Sequence, residues 1–273
     1  MVLMNTRVIK QAANQSASTY HKSAFFAKTM ADRLLARLDY IRLKPESILD
    51  LASGVGLLQP TLTSLYPSAQ IFELDFSMSC LKRVKGRAIC ADVHAIPLAS
   101  NSMDCVLSNN ALYLFAHRPM VFSEVFRILK PGGLFMFTHL GPDTLCEWAQ
   151  ACKREGWVNS VGPFTDMHDI GDELAQAQFF DPVMDRELLT YDYESVVDML
   201  VDRRYLGIKN IHPDRQPCLM TPARWKNIQK HMSEQLSLSL EVIYGHAWKK
   251  ESTTFKANED NEVCIPLDSL RKR

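Results

Sequence analysis

Glycine is scarce, at 11 of 273 residues. A glycine cluster in such a chain marks a place where the backbone must bend sharply or let something approach closely. The seven cysteines (Cys80, Cys90, Cys105, Cys146, Cys152, Cys218 and Cys264) include no C-x-x-C pair and follow no regular spacing. That argues against a dithiol motif and suits reduced thiols in a cytoplasmic protein. The eight histidines show no H-E-x-x-H and no zinc spacing, so no metal site is expected. No apolar run approaches the ~18 residues that suggest a membrane span, and the first twenty residues lack the apolar stretch of a signal peptide. An excess of either charge is missing as well. Lys+Arg and Asp+Glu both number 31, for a formal net charge of zero. This disfavours a nucleic-acid partner, which needs a strong basic excess, but leaves room for a local patch.

What is present is ordinary for a globular chain: 47% hydrophobic and 23% charged residues, in a length able to bury a sizeable core. After a polar start, apolar residues recur at helical spacing from Ser23 to Leu43 (Phe26, Met30, Leu34, Leu38, Ile41). Short apolar runs then read as strands at 48–51, 70–74, 88–91, 105–107 and 134–137, with helical stretches from the glycine loop to about Leu65, at Ser77–Lys85 and at Pro119–Leu129. Lys130-Pro131-Gly132-Gly133 is a type II turn signal before the fifth strand. Helices are also expected at 143–155, 169–177, 193–206 and 222–235, and strands at 183–190 and 238–248. Strand–helix alternation of this kind means a doubly wound, mostly parallel α/β sheet. Binding sites in such sheets lie at the carboxyl ends of the strands, so Asp50 to Gly56, Asp75, Asp92 and Ser108-Asn109 should converge in one crevice.

Asp50-Leu51-Ala52-Ser53-Gly54-Val55-Gly56 lies between a strand and a helix. Gly54 and Gly56 let the backbone approach a ligand, and the following helix offers free N–H groups. Asp75, about 20 residues on, ends the second strand, where a carboxylate can accept both hydroxyls of a ribose. Asp92 ends the third, placed for an adenine amino group. A dinucleotide fingerprint would carry a small residue three positions after Gly56, where Gln59 stands, and there is no Walker Lys-Ser pair. A nucleoside without a pyrophosphate, such as S-adenosylmethionine, fits better. The competing reading is that these acids only cap turns.

The sequence resembles the class I S-adenosylmethionine-dependent methyltransferases. The motifs D-x-[AG]-x-G-x-G, L-D-x-S, A-D-x-x-x-[IL]-P, S-N-x-A-L and L-K-P-G-G occur in order from Asp50 to Gly133. More narrowly, Leu140–Leu145, Asp166–Asp172 and Val242–Trp248 resemble the malonyl-acyl-carrier-protein O-methyltransferase family of biotin synthesis, a similarity spanning Arg7 to Trp248. Some of these late segments recur in a mitochondrial assembly factor for respiratory complex I. The resemblance implies a Rossmann-like seven-stranded sheet with a C-terminal helical insertion acting as a substrate cap. Residues 1–42 would form an arm and helix acting as a lid, 43–140 the cofactor-binding core, 141–250 the cap helices and final strands, and 251–273 a polar tail.

The same resemblance implies a cofactor site of Asp50, Ala52, Gly54, Gly56, Asp75, Phe76, Asp92, Val93 and Asn109. Candidate substrate residues are Arg204, whose planar fork suits a carboxylate, with Tyr20, Tyr205, Tyr244 and His246. A malonyl carboxylate is ionised at neutral pH, so no general base is required. The partner would be a malonyl-loaded acyl carrier protein, or malonyl-coenzyme A. Lys82, Arg83, Lys85 and Arg87, or Lys249 and Lys250, could dock an acidic carrier. The chain departs from the family at Ala52, where glycine is usual, at Ala13 and His21 in the arm, and at Tyr113-Leu114. Two other readings stay open: methylation of a different small acid, and an assembly module that does not methylate.

Overall fold

The computed structural model describes residues 10, 13, 14, 25–115, 117–162, 164–205, 220–233 and 236–251, without the side chains of 203–205. Its strands are β1 (Ser47–Leu51), β2 (Gln70–Asp75), β3 (Arg87–Cys90), β4 (Met103–Ser108), β5 (Leu129–Leu140), β6 (Phe180–Asp192) and β7 (Ser237–Trp248). They form one sheet in the order β3-β2-β1-β4-β5-β7-β6. The first five are parallel, and β7 runs antiparallel between β5 and β6. The doubly wound, mostly parallel sheet expected from the sequence is therefore the observed one. Strands β1 and β4 are buried on both faces, which is why they read as continuous apolar runs rather than alternating ones. The edge strands β3 and β6 are mostly exposed.

The helices are α1 (Phe25–Ala36), α2 (Gln59–Leu65), α3 (Met78–Leu81), α4 (Arg118–Ile128), α5 (Cys146–Arg154), α6 (Met167–Gln176), α7 (Val196–Tyr205) and α8 (Pro222–Ser233). One sheet face carries α1 and α2. There Phe26, Met30, Leu34, Leu58 and Leu62 pack with Ile48, Ile71 and Met136. The other face carries α4 and α6, where Val121, Phe122, Val125, Ile170 and Leu174 pack with Leu49, Val106 and Phe135. Arg118 on α4 locks these two helices with paired bonds of 2.9 and 2.8 Å to Glu173 on α6.

Two expectations shift. The helix expected over 77–85 is one turn, capped by Ser77 Oγ accepting from Cys80 N at 3.2 Å; the chain must turn at Gly86, where a Cβ would collide with the Gln59 amide. Lys130–Gly133 does not precede the fifth strand but lies inside it. Gly132 takes φ +80° there, and the β4–β5 register shifts at that point. Within 141–250, buried side chains of α5, α7 and α8 (Trp148, Met199, Ile228, Met232) join the core cluster that contains α1 and α2, whereas those of α6 join the cluster on the other face. No helix among the described residues is long and apolar enough to cross a membrane.

Candidate active site

The loop 52–58 leaves the carboxyl end of β1 and turns into α2. Its three bends are left-handed: Ala52 at φ +56°, Gly54 at +58° and Gly56 at +77°. A Cβ on Gly54 would meet nothing within 4 Å, so this peptide borders open space that a ligand can enter. Gly56 is the opposite case. A Cβ there would stand 3.2 Å from Glu73 Oε2 and 3.3 Å from Val84 Cγ2. Ala52 occupies a conformation that glycine adopts freely and alanine does not.

Asp75 ties the loop to the next strand. Its Oδ2 accepts from Gly54 N at 3.0 Å and its Oδ1 from Ser77 N at 2.7 Å. Burial raises its pKa, and these backbone donors oppose the rise. The carboxylate keeps lone pairs for two ribose hydroxyls. Phe76 follows, half-buried, with Val93 buried across from it in the loop after β3. Asp92 lies just beyond the end of β3, exposed, and its Oδ1 accepts from His94 N at 2.9 Å and pairs with His94 Nδ1 at 2.6 Å. Burial opposes ionisation there, but the His94 contacts win and hold the carboxyl below its usual range.

After β4, the Asn109 side chain is already engaged. Its Nδ2 donates to Ala27 O on α1 at 2.9 Å, and its Oδ1 accepts from Thr138 Oγ1 at 2.8 Å. What Asn109 can offer a cofactor is its backbone. Beneath the loop lie Asp50 and Glu73, 1% and 0% exposed. Neither Asp50 Oδ2 nor either Glu73 oxygen makes a hydrogen bond of good geometry. Glu73 escaped the sequence reading; a signal was there, since a strand alternates faces and a Glu two residues before Asp75 must share its side of the sheet.

The residues present fit S-adenosylmethionine: an open glycine turn for the amino-acid end, Asp75 for the ribose, the Asp92 loop for the base, and buried acids for positive charge. The arm reaches the same place. Ser77 Oγ donates to Asn14 Oδ1 at 2.6 Å, and Ala13 O lies 3.7 Å from Cys80 Sγ.

Comparison with known proteins decides the family. Residues 49–137 match the model of a methyltransferase domain. The chain is 38% identical to malonyl-[acyl-carrier protein] O-methyltransferase 1 of Coxiella burnetii, covering 99% of this chain and 97% of that one. It is 39% identical to the malonyl-[acyl-carrier protein] O-methyltransferase of Gallionella capsiferriformans, with 96% of each chain covered. The chain belongs to the malonyl-[acyl-carrier protein] O-methyltransferase family. Among solved structures, the YcgJ protein from Bacillus subtilis aligns with TM-score 0.57 at 15% identity, over 80% of this chain and 98% of that one. Phosphoethanolamine N-methyltransferase 2 of Haemonchus contortus, in complex with S-adenosyl-L-methionine, aligns with TM-score 0.51 at 16% identity, over 81% of this chain and 53% of that one. These two likenesses show the shared fold.

On the acyl side of this family member the placements are mixed. Tyr20 and the side chains of Arg204 and Tyr205 lie outside the described residues, although Arg204 and Tyr205 end α7. Tyr244, 2% exposed, is sandwiched on the α1 side of β7. The Arg37 guanidinium stacks 3.6 Å over its ring, and its hydroxyl lies 3.5 Å from Glu187. Burial, with the Glu187 charge, raises its pKa. His246 is half-buried two residues on, in register with Met136 and Val183. Sequence reasoning missed the ion pairs that tie α1 and the turn after it to β6, Arg33 with Glu187 and Arg37 with Asp185. Of the basic clusters, Lys82, Arg83, Lys85 and Arg87 are all exposed along the β3 edge. Lys249 is not free for docking: its Nζ donates to Asn101 Oδ1, Phe126 O and Leu129 O at 2.8, 2.7 and 2.9 Å. Lys250 Nζ lies 6.0 Å from the Phe180 ring centroid.

Proposed function

We propose that this chain transfers a methyl group from S-adenosylmethionine to the free carboxylate of a malonyl thioester carried on acyl carrier protein, an early step of biotin synthesis. The observation that carries the reading is the near-full-length likeness to relatives of that name. It extends through the cap and last strand, well beyond the shared methyltransferase core. A cytoplasmic location belongs to the same proposal, and the five described cysteines are all free thiols, as that compartment favours.

The cofactor supplies an electrophilic methyl on a positively charged sulfur. Asp75, Gly54, Gly56 and the Asn109 backbone would hold it, with Asp92 and Val93 at the adenine. The nucleophile is a carboxylate with an ordinary pKa near ~4, so it needs no base to ionise it at neutral pH. The protein's work is alignment of oxygen, methyl carbon and sulfur together with exclusion of water. Alignment alone can supply about 7–11 kcal/mol. The arm residues Ala13 and Asn14 rest on Cys80 and Ser77, beside Asp75, where an arm can exclude water from the ribose end. Arg204, at the end of α7, would grip the malonyl carboxylate through two N–H groups, and Tyr20 would close over the cofactor.

The test is transfer of a labelled methyl from the cofactor to malonyl-loaded carrier protein, with malonyl-coenzyme A and free malonate as comparisons. Label on the malonyl carrier, released as a methyl ester by mild base, is the expected result. Cofactor binding without transfer to any malonyl thioester would overturn the reading and favour an assembly role.

A further inference from the structure

Asp50 on β1 and Glu73 on β2 are register partners on adjacent parallel strands, so their side chains leave the same face of the sheet side by side. Asp75 follows two residues later on that face. The three are 1%, 0% and 5% exposed. Their surroundings differ in one respect. Asp75 has both oxygens bonded to backbone N–H groups, and Lys10 of the arm acts on it from outside. Asp50 Oδ2 and both Glu73 oxygens make no hydrogen bond of good geometry, although the Ser53 hydroxyl stands near enough to Glu73 to favour its ionised form. The charged groups that act on Asp50 are Glu73 and Asp75, both acidic. From the elements around Glu73 come uncharged groups: Ser53 from the loop, Val84 and Gly86 from the turn before β3, Gln59 from α2, and Ala88 in register on β3. No cation among the described residues neutralises the pair.

Two buried carboxylates side by side without a counter-cation cannot both be ionised at modest cost. One proton between them relieves the repulsion, and a cation arriving above them relieves it as well. The floor of the cofactor loop is where such a cation would act, since Glu73 Oε2 lies 3.2 Å from the Cβ position of Gly56.

We propose that Asp50 and Glu73 share one proton in the ligand-free protein and give it up to solvent when the positively charged cofactor docks on the loop, so that Glu73 favours the sulfonium cofactor over its demethylated product. The O–H bond is the one bond broken, and the proton leaves to buffer. The product has lost the sulfonium charge and displaces the proton less well. Glu73 is thus a positioning and selectivity residue acting through the field beneath the loop. Burial holds Glu73 at about 7, which puts the exchange in the neutral range. The inference rests on the cofactor and not on the acyl substrate.

The experiment measures dissociation constants of S-adenosylmethionine and S-adenosylhomocysteine by calorimetry from pH 6 to 7.5, for the full chain and for Glu73→Gln. Wild-type affinity for S-adenosylmethionine should rise with pH, by less than tenfold per unit as one proton requires, and more than for the homocysteine form. Glu73→Gln should flatten the dependence and narrow the preference between the two ligands. A second readout needs no variant: binding heats at pH 7 in buffers of different ionisation enthalpy should reveal release of a fraction of one proton. A pH-independent wild-type affinity with no proton release overturns the proposal, as does an unchanged slope in a folded Glu73→Gln protein. Because no acyl substrate is added, failure here is distinguishable from failure of the malonyl reading.

Discussion

Gly56 and Glu73 fit against each other so closely that neither position can change without the other responding. The Gly56 Cβ position is 3.2 Å from Glu73 Oε2 and 3.3 Å from Val84 Cγ2, so an added methyl would push these side chains back by a few tenths of an ångström. The φ of +77° penalises any side chain there as well. Gly56→Ala should therefore cost about 2 kcal/mol or more in stability and weaken cofactor binding at least tenfold. Gly54→Ala is the informative contrast. Its methyl meets only open space, so stability should fall by only about 1 kcal/mol while affinity falls further, because the methyl projects where the ligand enters. Thermal unfolding and calorimetry on both variants check this; equal effects on stability would refute it.

Ala52 is strained at φ +56°. Ala52→Gly removes about 1–2 kcal/mol of left-handed strain and adds about 0.5–1 kcal/mol of unfolded-state entropy. A net stabilisation of about 0.5–1 kcal/mol is expected in denaturant unfolding. A loss of stability would mean that the loop relaxes around alanine.

Glu73 also makes ligand-free stability depend on pH. Burial raises it from a usual 4.5 to about 7. The folded state thus holds a proton that the unfolded chain has lost between those values, and stability falls as pH rises through that window. Asp50, raised in the same direction by burial and by Glu73, adds to the trend. Glu73→Gln keeps the shape and removes the charge. Its advantage over wild type should reach at most about 3 kcal/mol above pH 7 and fade towards pH 4.5. Urea unfolding at pH 5 and pH 8 measures it, and an equal difference at both would argue against a titrating Glu73.

If Arg204 grips the acyl carboxylate as proposed, Arg204→Ala should lose methyl transfer by a hundredfold or more while cofactor affinity stays within about twofold. Steady-state turnover beside a cofactor titration separates the two. Unchanged turnover would remove Arg204 from the site.

The exposed basic edge at Lys82, Arg83, Lys85 and Arg87 is the stronger of the two docking candidates, because the Lys249 ammonium is consumed by three oxygens. Reversing two of these charges to Glu should raise the Michaelis constant for malonyl carrier about five- to tenfold, more steeply at low salt. The Michaelis constant for malonyl-coenzyme A should move less. No change for the carrier would place docking elsewhere.

Element type was legible along most of the chain because apolar period and turn residues are local properties. The 59–65 helix, the five parallel strands and the late antiparallel strand all follow from such patterns. Lengths were less legible. The 77–85 stretch has helical residues, yet only Met78–Leu81 is helical, because the turn at Gly86 against Gln59 sets where β3 can start. Proline and glycines at 131–133 read as a turn between elements, while backbone bonds to Lys249, just past the end of β7, keep them inside β5.

The sequence by itself determined the sheet class, the glycine loop and the acids at successive strand ends, since each depends on residue type and short spacing. Only the tertiary structure decided how those acids differ. It brought Gly54 N from the loop after β1 onto Asp75 and placed Glu73 beside Asp50, with no neutralising cation among the described residues. Pairing across strands sets these environments, and the protonation of a carboxylate depends on what surrounds it more than on where it falls in the chain.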